Sequence, residues 1–221
     1  MRPLFRYMSA QYAEAFVRRG EVLLRPLSYF RDYEDDGVRA DEYEGTLLHR
    51  PAGGLVVNNL TTGQSGIFPH SFEATAREDD IFILCLSMER SAELAKRFGA
   101  ETCVELTQPV RFLARLRKSL GLRARVQASH LTHGPVMYYS AEEPPIVDWA
   151  LPDRIALRKP ASFLWQQEYR FAVPIGNAFA VEQVAVKLVA PGAARRKPVG
   201  DHPHMLLRLG SLSSICRLHH M

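Results

Sequence analysis

The sequence predicts a single α+β domain, and three observations support this fold class. The chain has 221 residues, of which 47% are hydrophobic and 24% are charged, as in ordinary globular domains. Short runs of aromatic and β-branched residues, bounded by Gly, Pro and polar turns, predict many short strands. Apolar residues at helical spacing occur mostly in the first half of the chain. We therefore interpret residues 1–221 as one domain in which helices and strands are segregated.

The first 31 residues predict two strands that flank a helix. Residues 4–8 form the first predicted strand, and Ser9 is a suitable N-cap for the helix that follows. Gly20 ends this helix, and residues 22–24 form the second strand. Residues 26–31 predict a turn or a short helix. The predicted apolar stripe of the first helix comprises Tyr12, Ala13, Phe16 and Val17.

The middle of the chain predicts a central strand and two further helices. Residues 80–86 form the most apolar run, which is typical of a central strand. A short helix over residues 92–98 ends at Gly99, and Pro109 is well placed to begin a longer helix that ends at Leu120. The inward residues of the longer helix are Phe112, Leu113, Leu116 and Leu120.

Several further strands and loops complete the predicted element order. Strands are expected at residues 55–60, 102–106, 123–127, 136–139, 183–188 and 205–209. Of these, residues 123–127 and 136–139 are expected to pair with each other. Loops are expected at residues 32–45, 142–152 and 191–203.

Glu168 is the most informative residue of the chain. It lies in residues 163–174, which predict a strand entered from a Trp-bearing loop. Because side chains alternate along a strand, Gln166, Glu168 and Arg170 share one face, which places a carboxylate between an amide and a guanidinium. The opposite face is a core face that carries Gln167, Tyr169, Phe171 and Val173. Chance placement of charges on an exposed strand is the alternative interpretation.

Charge is distributed unevenly along the chain. The net charge is +4 and the pI is about 9.1, which permits an anionic partner without requiring one. Basic residues cluster at residues 111–125 and 195–197, whereas acids gather at residues 32–44. Opposite signs on different segments predict a polarised surface.

Cysteine and histidine usage predicts neither disulfides nor a metal centre. Cys85, Cys103 and Cys216 form no Cys-x-x-Cys pair, and we expect buried, reduced thiols. The eight histidines lack the spacing of a zinc site. No segment predicts a membrane span or a signal peptide, so we expect action in the cytoplasm. A domain delivered within a larger secreted toxin would also lack its own signal.

Three groups of short motifs lie along residues 4–175. They are Phe5-Arg6-Tyr7, followed by a helix, Gly20, a strand and Arg25-Pro-Leu-Ser-Tyr-Phe-Arg-Asp32; Leu84-Cys-Leu-Ser87 with Arg97-Phe-Gly99 and Cys103-Val-Glu105; and Lys159 with Trp165-Gln-Gln-Glu-Tyr-Arg170. Together they resemble a family of bacterial proteins of unassigned function that is found among defence and toxin genes. That family is similar to the ADP-ribosyltransferase superfamily.

The resemblance implies split antiparallel β-sheets with flanking helices and a cleft that binds NAD. Enzymes of this superfamily cleave the bond between nicotinamide and ribose and transfer ADP-ribose to a nucleophile. Three positions describe their sites: a His or Arg on the first strand, a Tyr or a strand-end Ser, and a Glu on a later strand. Here these positions fall on Arg6 or Tyr7, on Ser87 and on Glu168, with Gln166 two residues before the Glu.

One departure from the superfamily pattern concerns Ser87. The run Leu86-Ser87-Met88 lacks the flanking hydroxyls of the usual Ser-Thr-Ser. The alternative role for Ser87 is a helix cap before Ala92.

The chemistry of NAD cleavage suits the remaining candidates. A fixed Glu168 carboxylate would stabilise the positive charge that develops on the ribose. Arg6 and Arg39 would pair with the pyrophosphate, and Tyr7 or Tyr29 would stack on nicotinamide. The alternatives are a surface charge for Arg6, balance of neighbouring acids for Arg39, and core packing for Tyr29. Gln166 would hydrogen-bond the incoming nucleophile or the ribose.

The acidic segment over residues 29–44 has three interpretations. It folds over bound NAD, it is a solvated acidic loop, or it holds a metal ion. The carboxylates considered for a metal are Asp32, Glu34, Asp35 and Asp36, although no ligand spacing is recognisable.

Basic residues suggest what would receive the ADP-ribose. Arg111, Arg115 and Lys118 share one helix face, and together with Arg195 and Arg196 they could track an RNA backbone. A protein acceptor is an equal alternative, and a solvent-exposed basic face explains the pattern without any ligand.

We therefore predict an NAD-dependent mono-ADP-ribosyltransferase that acts as a toxin or defence effector. Its acceptor would be RNA or protein, and an inhibitory antitoxin or immunity protein is a further candidate partner. The competing prediction is a non-catalytic nucleic-acid-binding module or a metal-dependent nuclease.

Overall fold

The structure is a computed structural model that describes residues 2–31, 41–193 and 202–221. Its strands are β1 (Leu4–Met8), β2 (Glu21–Pro26), β3 (Thr46–His49), β4 (Leu55–Asn58), β5 (Ser65–Phe68), β6 (Ser71–Thr75), β7 (Ile81–Ser87), β8 (Thr102–Leu106), β9 (Thr132–Pro135), β10 (Met137–Tyr139), β11 (Arg158–Pro160), β12 (Glu168–Pro174), β13 (Ala185–Val189), β14 (Met205–Arg208) and β15 (Cys216–His220). Its α-helices are α1 (Ala10–Glu14), α2 (Leu27–Arg31), α3 (Ala92–Arg97), α4 (Pro109–Leu120) and α5 (Pro152–Ile155). The predicted α+β class is therefore confirmed.

The main sheet is antiparallel and runs in the order β14-β2-β7-β1-β8-β15. Strand β12 pairs with β7 along its whole length, from Glu168 opposite Ser87 to Pro174 opposite Ile81, and β9 lies beyond β12. Two strands, β2 and β1, must therefore share the other edge of β7.

The shared edge of β7 produces a fork in the sheet. Strand β2 pairs with the beginning of β7, where Arg25 lies opposite Ile83. Strand β1 pairs with its end, where Phe5 lies opposite Ser87. The sheet is therefore open between these two contacts.

Alternation along β12 assigns its side chains to two hydrophobic clusters. Tyr169, Phe171 and Val173 pack in a large cluster that also contains the inward residues of α4. On the opposite face, Ala172 joins a smaller cluster with residues of β3 and β6. Glu168 and Arg170 lie on the same face as Ala172, as the alternation predicts.

The longest helix agrees with its sequence prediction. Helix α4 spans Pro109–Leu120, with Pro109 in its first turn. All four predicted inward residues are buried: Phe112, Leu113, Leu116 and Leu120. Its position over the large cluster explains the apolar stripe.

The first helix agrees with its prediction at both ends but not along its stripe. Ser9 occupies the N-cap of α1, and the helix continues as a π-helical segment, Ala15–Arg19, to Gly20. Tyr12, however, is 68% exposed, so it does not belong to the core stripe.

Several predictions about strands were wrong. Residues 123–127 form turns, with a single bridge from Val126 to Ile175. Strand β10 instead pairs in parallel with β11. Gln166 does not lie on β12, because Ala161–Gln166 is a 3-10 helix and Gln167 has a left-handed φ of 45°.

Six observed strands were not predicted: β3, β5, β6, β9, β11 and β15. None is longer than five residues, and most are rich in polar residues, Gly, Pro or His, which carry a weak β signal. Most of the predicted loop over residues 191–203 lies outside the described residues. In the described part of the chain, no helix is both long and apolar enough to cross a membrane.

Gly20 ends the first helix at a point of close backbone contact. Its φ is +62°, and a Cβ placed there would lie 2.0 Å from the carbonyl oxygen of Gly210. The strand pair β2–β14 begins beside this contact, with Leu209 N donating to Gly20 O at 2.9 Å. Glycine is therefore required here both by conformation and by space.

We predict that Gly20→Ala destabilises the fold more than Gly99→Ala does. Gly99 has a similar φ of +58° but open space around its Cβ position, so its substitution should cost only the conformational strain of roughly 1–2 kcal/mol. Gly20→Ala should cost at least about 1 kcal/mol more, because the backbone at Gly210 must move. Urea unfolding of both variants measures the difference, and equal losses would contradict the packing argument.

Candidate functional site

A cleft of about 440 Å³ opens in the fork between β1 and β2. This volume lies within the range of small-molecule binding sites. The lining residues come from both arms of the fork, from β7 and β12 behind it, and from neighbouring helices, β11 and the end of α3. They are Phe5, Arg6, Tyr7, Tyr12, Leu23, Arg25, Tyr29, Phe30, Ile83, Leu84, Cys85, Leu86, Ser87, Phe98, Lys159, Gln166, Glu168 and Arg170.

Aromatic residues form one wall of the cleft beside Ser87. The rings of Tyr7 and Phe98 lie 5.6 Å apart, and Phe98 packs in turn on Trp165 at 5.5 Å. The Tyr7 hydroxyl donates to the carbonyl of Glu89 and accepts from the Ser91 amide, each at 2.8 Å. Burial raises the pKa of Tyr7 to about 12, so the phenol stays protonated at neutral pH. These contacts fix the ring in place.

A second aromatic wall lies on the β2 side of the cleft. The Arg25 guanidinium carbon lies 4.5 Å from the centroid of the Tyr29 ring, within the range of a cation–π contact. Tyr29 also meets Phe30 edge to face at 5.2 Å. The cleft therefore combines flat apolar surfaces with a cationic group.

A buried guanidinium, that of Arg170, organises the floor of the cleft. Arg170 is 0% exposed. Its Nη1 and Nη2 atoms donate to the two carboxylate oxygens of Glu44 at 2.6 and 2.8 Å. Its Nε and Nη2 atoms donate to the two oxygens of Glu168 at 2.6 and 3.3 Å, and Nη1 also donates to the Ala156 carbonyl at 3.0 Å. All five N–H donors of the guanidinium are thereby used.

Lys159 is the second buried cation of this cluster. Its Nζ donates to Gln166 Oε1 at 2.9 Å and to Glu168 Oε2 at 3.4 Å, and it lies 3.9 Å from Glu44 Oε2. It also lies 4.4 Å from the centroid of the Phe163 ring. Two carboxylates and two cations therefore balance each other in formal charge.

These neighbours keep Glu168 ionised despite its burial. Burial alone would raise the pKa of its carboxyl, but the charges of Arg170 and Lys159 outweigh burial and lower the pKa to about 2. Burial and the Glu168 charge raise the pKa of the Cys85 thiol, which stays neutral beside the carboxylate. Glu168 is thus a fixed negative charge on the cleft floor.

Asp41 adds a third carboxyl to the charged cluster. It is 2% exposed, its Oδ1 accepts from the Tyr43 amide at 3.0 Å, and its Oδ2 is buried without a hydrogen-bond partner among the described residues. Burial and the nearby charge of Glu44 raise the pKa of Asp41 to about 7. Its ionisation is therefore disfavoured by the folded structure.

Six of the predicted catalytic and cofactor-binding residues line this single cleft. They are Arg6, Tyr7, Tyr29, Ser87, Gln166 and Glu168. The guanidinium carbon of Arg6 lies 5.6 Å from the centroid of the Phe16 ring, which belongs to the large cluster. Arg39 lies outside the described residues.

Ser87 has a different role from a helix cap. Its hydroxyl donates to the Gln166 carbonyl at 3.0 Å and accepts from the Glu89 amide at 3.1 Å. The side chain that caps α3 is instead Ser91, which accepts from the Leu94 amide. Ser87 therefore joins the end of β7 to the 3-10 helix that precedes Glu168.

Of the predicted nucleic-acid-binding residues, the three that the structure describes do not line the cleft. Arg111, Arg115 and Lys118 lie on α4, which packs on the face of the sheet opposite Glu168. Arg115 donates to the Ser211 carbonyl, so it fastens the helix to the C-terminal segment. Arg195 and Arg196 lie outside the described residues.

Two buried acids beside the cleft floor were not predicted from the sequence. Residues 32–45 were expected to form a surface loop, but Asp41 and Glu44 within them are buried beside Arg170. Nothing in the sequence distinguishes either of them from Glu42, which is exposed. The available signal was Arg170 itself, because an arginine on a strand requires carboxylate partners once the strand is buried.

Comparison with protein-family models, curated proteins and solved structures finds no significant match to this chain. Among the described residues, no group of three or more His, Cys, Asp or Glu side chains is arranged to hold a metal ion.

We predict that Asp41→Asn removes a pH-dependent loss of stability. Because the folded-state pKa of about 7 lies above the usual 3.8, protonated Asp41 stabilises the fold below about pH 4, and this contribution is lost as pH rises through 7. Asparagine keeps the acceptor for the Tyr43 amide and does not titrate. Relative to wild type, Asp41→Asn should therefore gain stability between pH 5 and pH 8.

Urea unfolding at pH 5 and pH 8 measures how the free energy of unfolding changes with pH in wild type and in Asp41→Asn. Glu42→Gln controls for the loss of a carboxyl from the same turn. Identical pH slopes for wild type and Asp41→Asn would contradict the assignment.

Proposed function

We propose that this protein is an NAD-dependent mono-ADP-ribosyltransferase that acts as a toxin or defence effector. One observation carries the proposal: residues chosen from separate stretches of the sequence, including Tyr7, Ser87 and Glu168, line one cleft with an ionised carboxylate on its floor. The forked antiparallel sheet supports the split-sheet architecture that such enzymes use.

The cleft residues fit the chemical groups of NAD. Arg6 and Arg25 supply guanidinium groups for the pyrophosphate. The rings of Tyr7 and Phe98 on one side and of Tyr29 on the other supply flat surfaces for the two bases. Glu168 supplies the carboxylate for the ribose.

Cleavage breaks the bond between the nicotinamide nitrogen and the anomeric carbon of ribose. The electron pair leaves with nicotinamide, and positive charge develops on the ribose. A preorganised carboxylate stabilises that charge without reorganising, and Glu168 is held for this by Arg170 and Lys159. The acceptor then bonds to the anomeric carbon and releases its proton to solvent water.

The charge state of Glu168 assigns it an electrostatic role. With a pKa of about 2, the carboxylate is too weak a base to take a proton from an acceptor near neutral pH. Tyr7 stays neutral and serves as a ring surface rather than as a base. Glu168 therefore contributes by stabilising the ribose cation electrostatically, and Tyr7 contributes only a flat surface for a base.

The acceptor is a macromolecule, RNA or protein, that reaches the open side of the cleft. The basic face of α4 lies on the opposite side of the main sheet, so it does not lead a phosphate backbone to Glu168. An inhibitory antitoxin or immunity protein is part of the proposal, as is action in the cytoplasm.

We predict that Glu168→Gln lowers the rate of NAD cleavage by about 10²–10³-fold. Glutamine has nearly the same shape but carries no charge to oppose that of the ribose cation. The measurement is release of labelled nicotinamide from NAD, with and without EDTA.

Glu78→Gln is the matched control, because Glu78 also pairs with an arginine, Arg31, at 2.7 Å but does not line the cleft. Its rate should equal that of wild type. A Glu168→Gln variant that cleaves NAD at the wild-type rate would refute the assignment, and cleavage of nucleic acid that EDTA abolishes would favour the nuclease alternative.

A further inference from the structure

The carboxylate of Glu44 lies behind the cleft rather than in it. Glu44 is 1% exposed and is not among the lining residues, whereas Glu168 and Arg170 both are. Glu44 therefore has no direct route to a bound ligand. Its strongest contacts are the two hydrogen bonds that it accepts from Arg170.

The hydrogen bonds of Arg170 leave its guanidinium no freedom of orientation. One edge faces Glu44, another faces Glu168, and the remaining donor goes to the Ala156 carbonyl. Because the guanidinium is planar and rigid, fixing one carboxylate against it fixes the other in the same frame. Glu44 thus determines where Glu168 finds its hydrogen-bond donors.

Charge balance makes the same connection. Glu44 and Glu168 together balance Arg170 and Lys159. Without Glu44, the Glu168 carboxylate alone would face the two buried cations, Arg170 and Lys159. These cations would then cancel more of the negative potential that Glu168 produces in the cleft. Both geometry and charge therefore connect Glu44 to the cleft through Arg170.

We propose that Glu44 is a positioning residue that orients the Glu168 carboxylate through the Arg170 guanidinium. The effect of Glu44 on catalysis rests on the proposed function. Its effect on the positions of Arg170 and Glu168 does not depend on any activity.

A double-mutant cycle on NAD cleavage tests the catalytic consequence. Glu44→Gln should lower kcat by about 10–100-fold and change KM by less than about threefold, because misplacement of a reacting group affects the chemical step. Glu44→Gln combined with Glu168→Gln should be no slower than Glu168→Gln alone, within about threefold. Glu78→Gln again serves as the control.

Additive losses in the double variant would overturn the proposal, because they would show that Glu44 acts independently of Glu168. Glu44→Asp retains the charge and should fold even if Glu44→Gln does not. Its kcat should fall between those of wild type and Glu44→Gln, and an undiminished kcat would also count against the proposal.

A crystal structure of Glu44→Gln separates this proposal from the proposed function. If wild type does not cleave NAD, the proposed function fails, and the variant structure still decides the positioning role. We expect Arg170 to leave its present position and the Glu168 carboxylate to rotate. Unchanged positions of both side chains would overturn the proposal regardless of activity.

Discussion

The structure depends on a single guanidinium that is shared by two buried carboxylates. Arg170 receives Glu44 from the turn before β3 and Glu168 from the start of its own strand. Burying an ion carries a desolvation penalty, and removing one partner of a buried ion pair lowers the free energy of unfolding by roughly 3–5 kcal/mol. The cluster is tolerated because all five donors of Arg170 are satisfied and Lys159 balances the remaining charge. Distant segments are thereby held in one arrangement.

The same interaction explains the chemical character of the cleft. A packed apolar floor would serve stability at least as well as a charged one. The charged floor instead provides a carboxylate that is ionised, immobile and next to open space at the fork. The fork exists because β1 and β2 share one edge of β7. The fold therefore opens a cleft beside Glu168, and the charged cluster keeps Glu168 ionised there. The proposed chemistry requires such a fixed negative charge.

The sequence was most informative where a local pattern determines the structure. The apolar stripe of α4, the strand end at Ser87 and the alternation of Glu168 with its apolar neighbours are local, and all three were predicted. The pairing of Glu44 with Arg170 spans 126 residues and leaves no periodic signal. Gln166 was placed on the strand because the left-handed turn at Gln167 depends on tertiary contacts. Local patterns thus identified residues that line the cleft but not the side chains that hold Glu168 in place.

The role of Glu168 can be tested with a structure of the protein bound to a non-cleavable NAD analogue. We expect the ribose next to nicotinamide to lie in the fork, with a hydroxyl within about 3 Å of the Glu168 carboxylate. We also expect Arg170 to keep its contacts to both Glu44 and Glu168. A dinucleotide bound elsewhere, or bound in the fork without contacting Glu168, would refute this role.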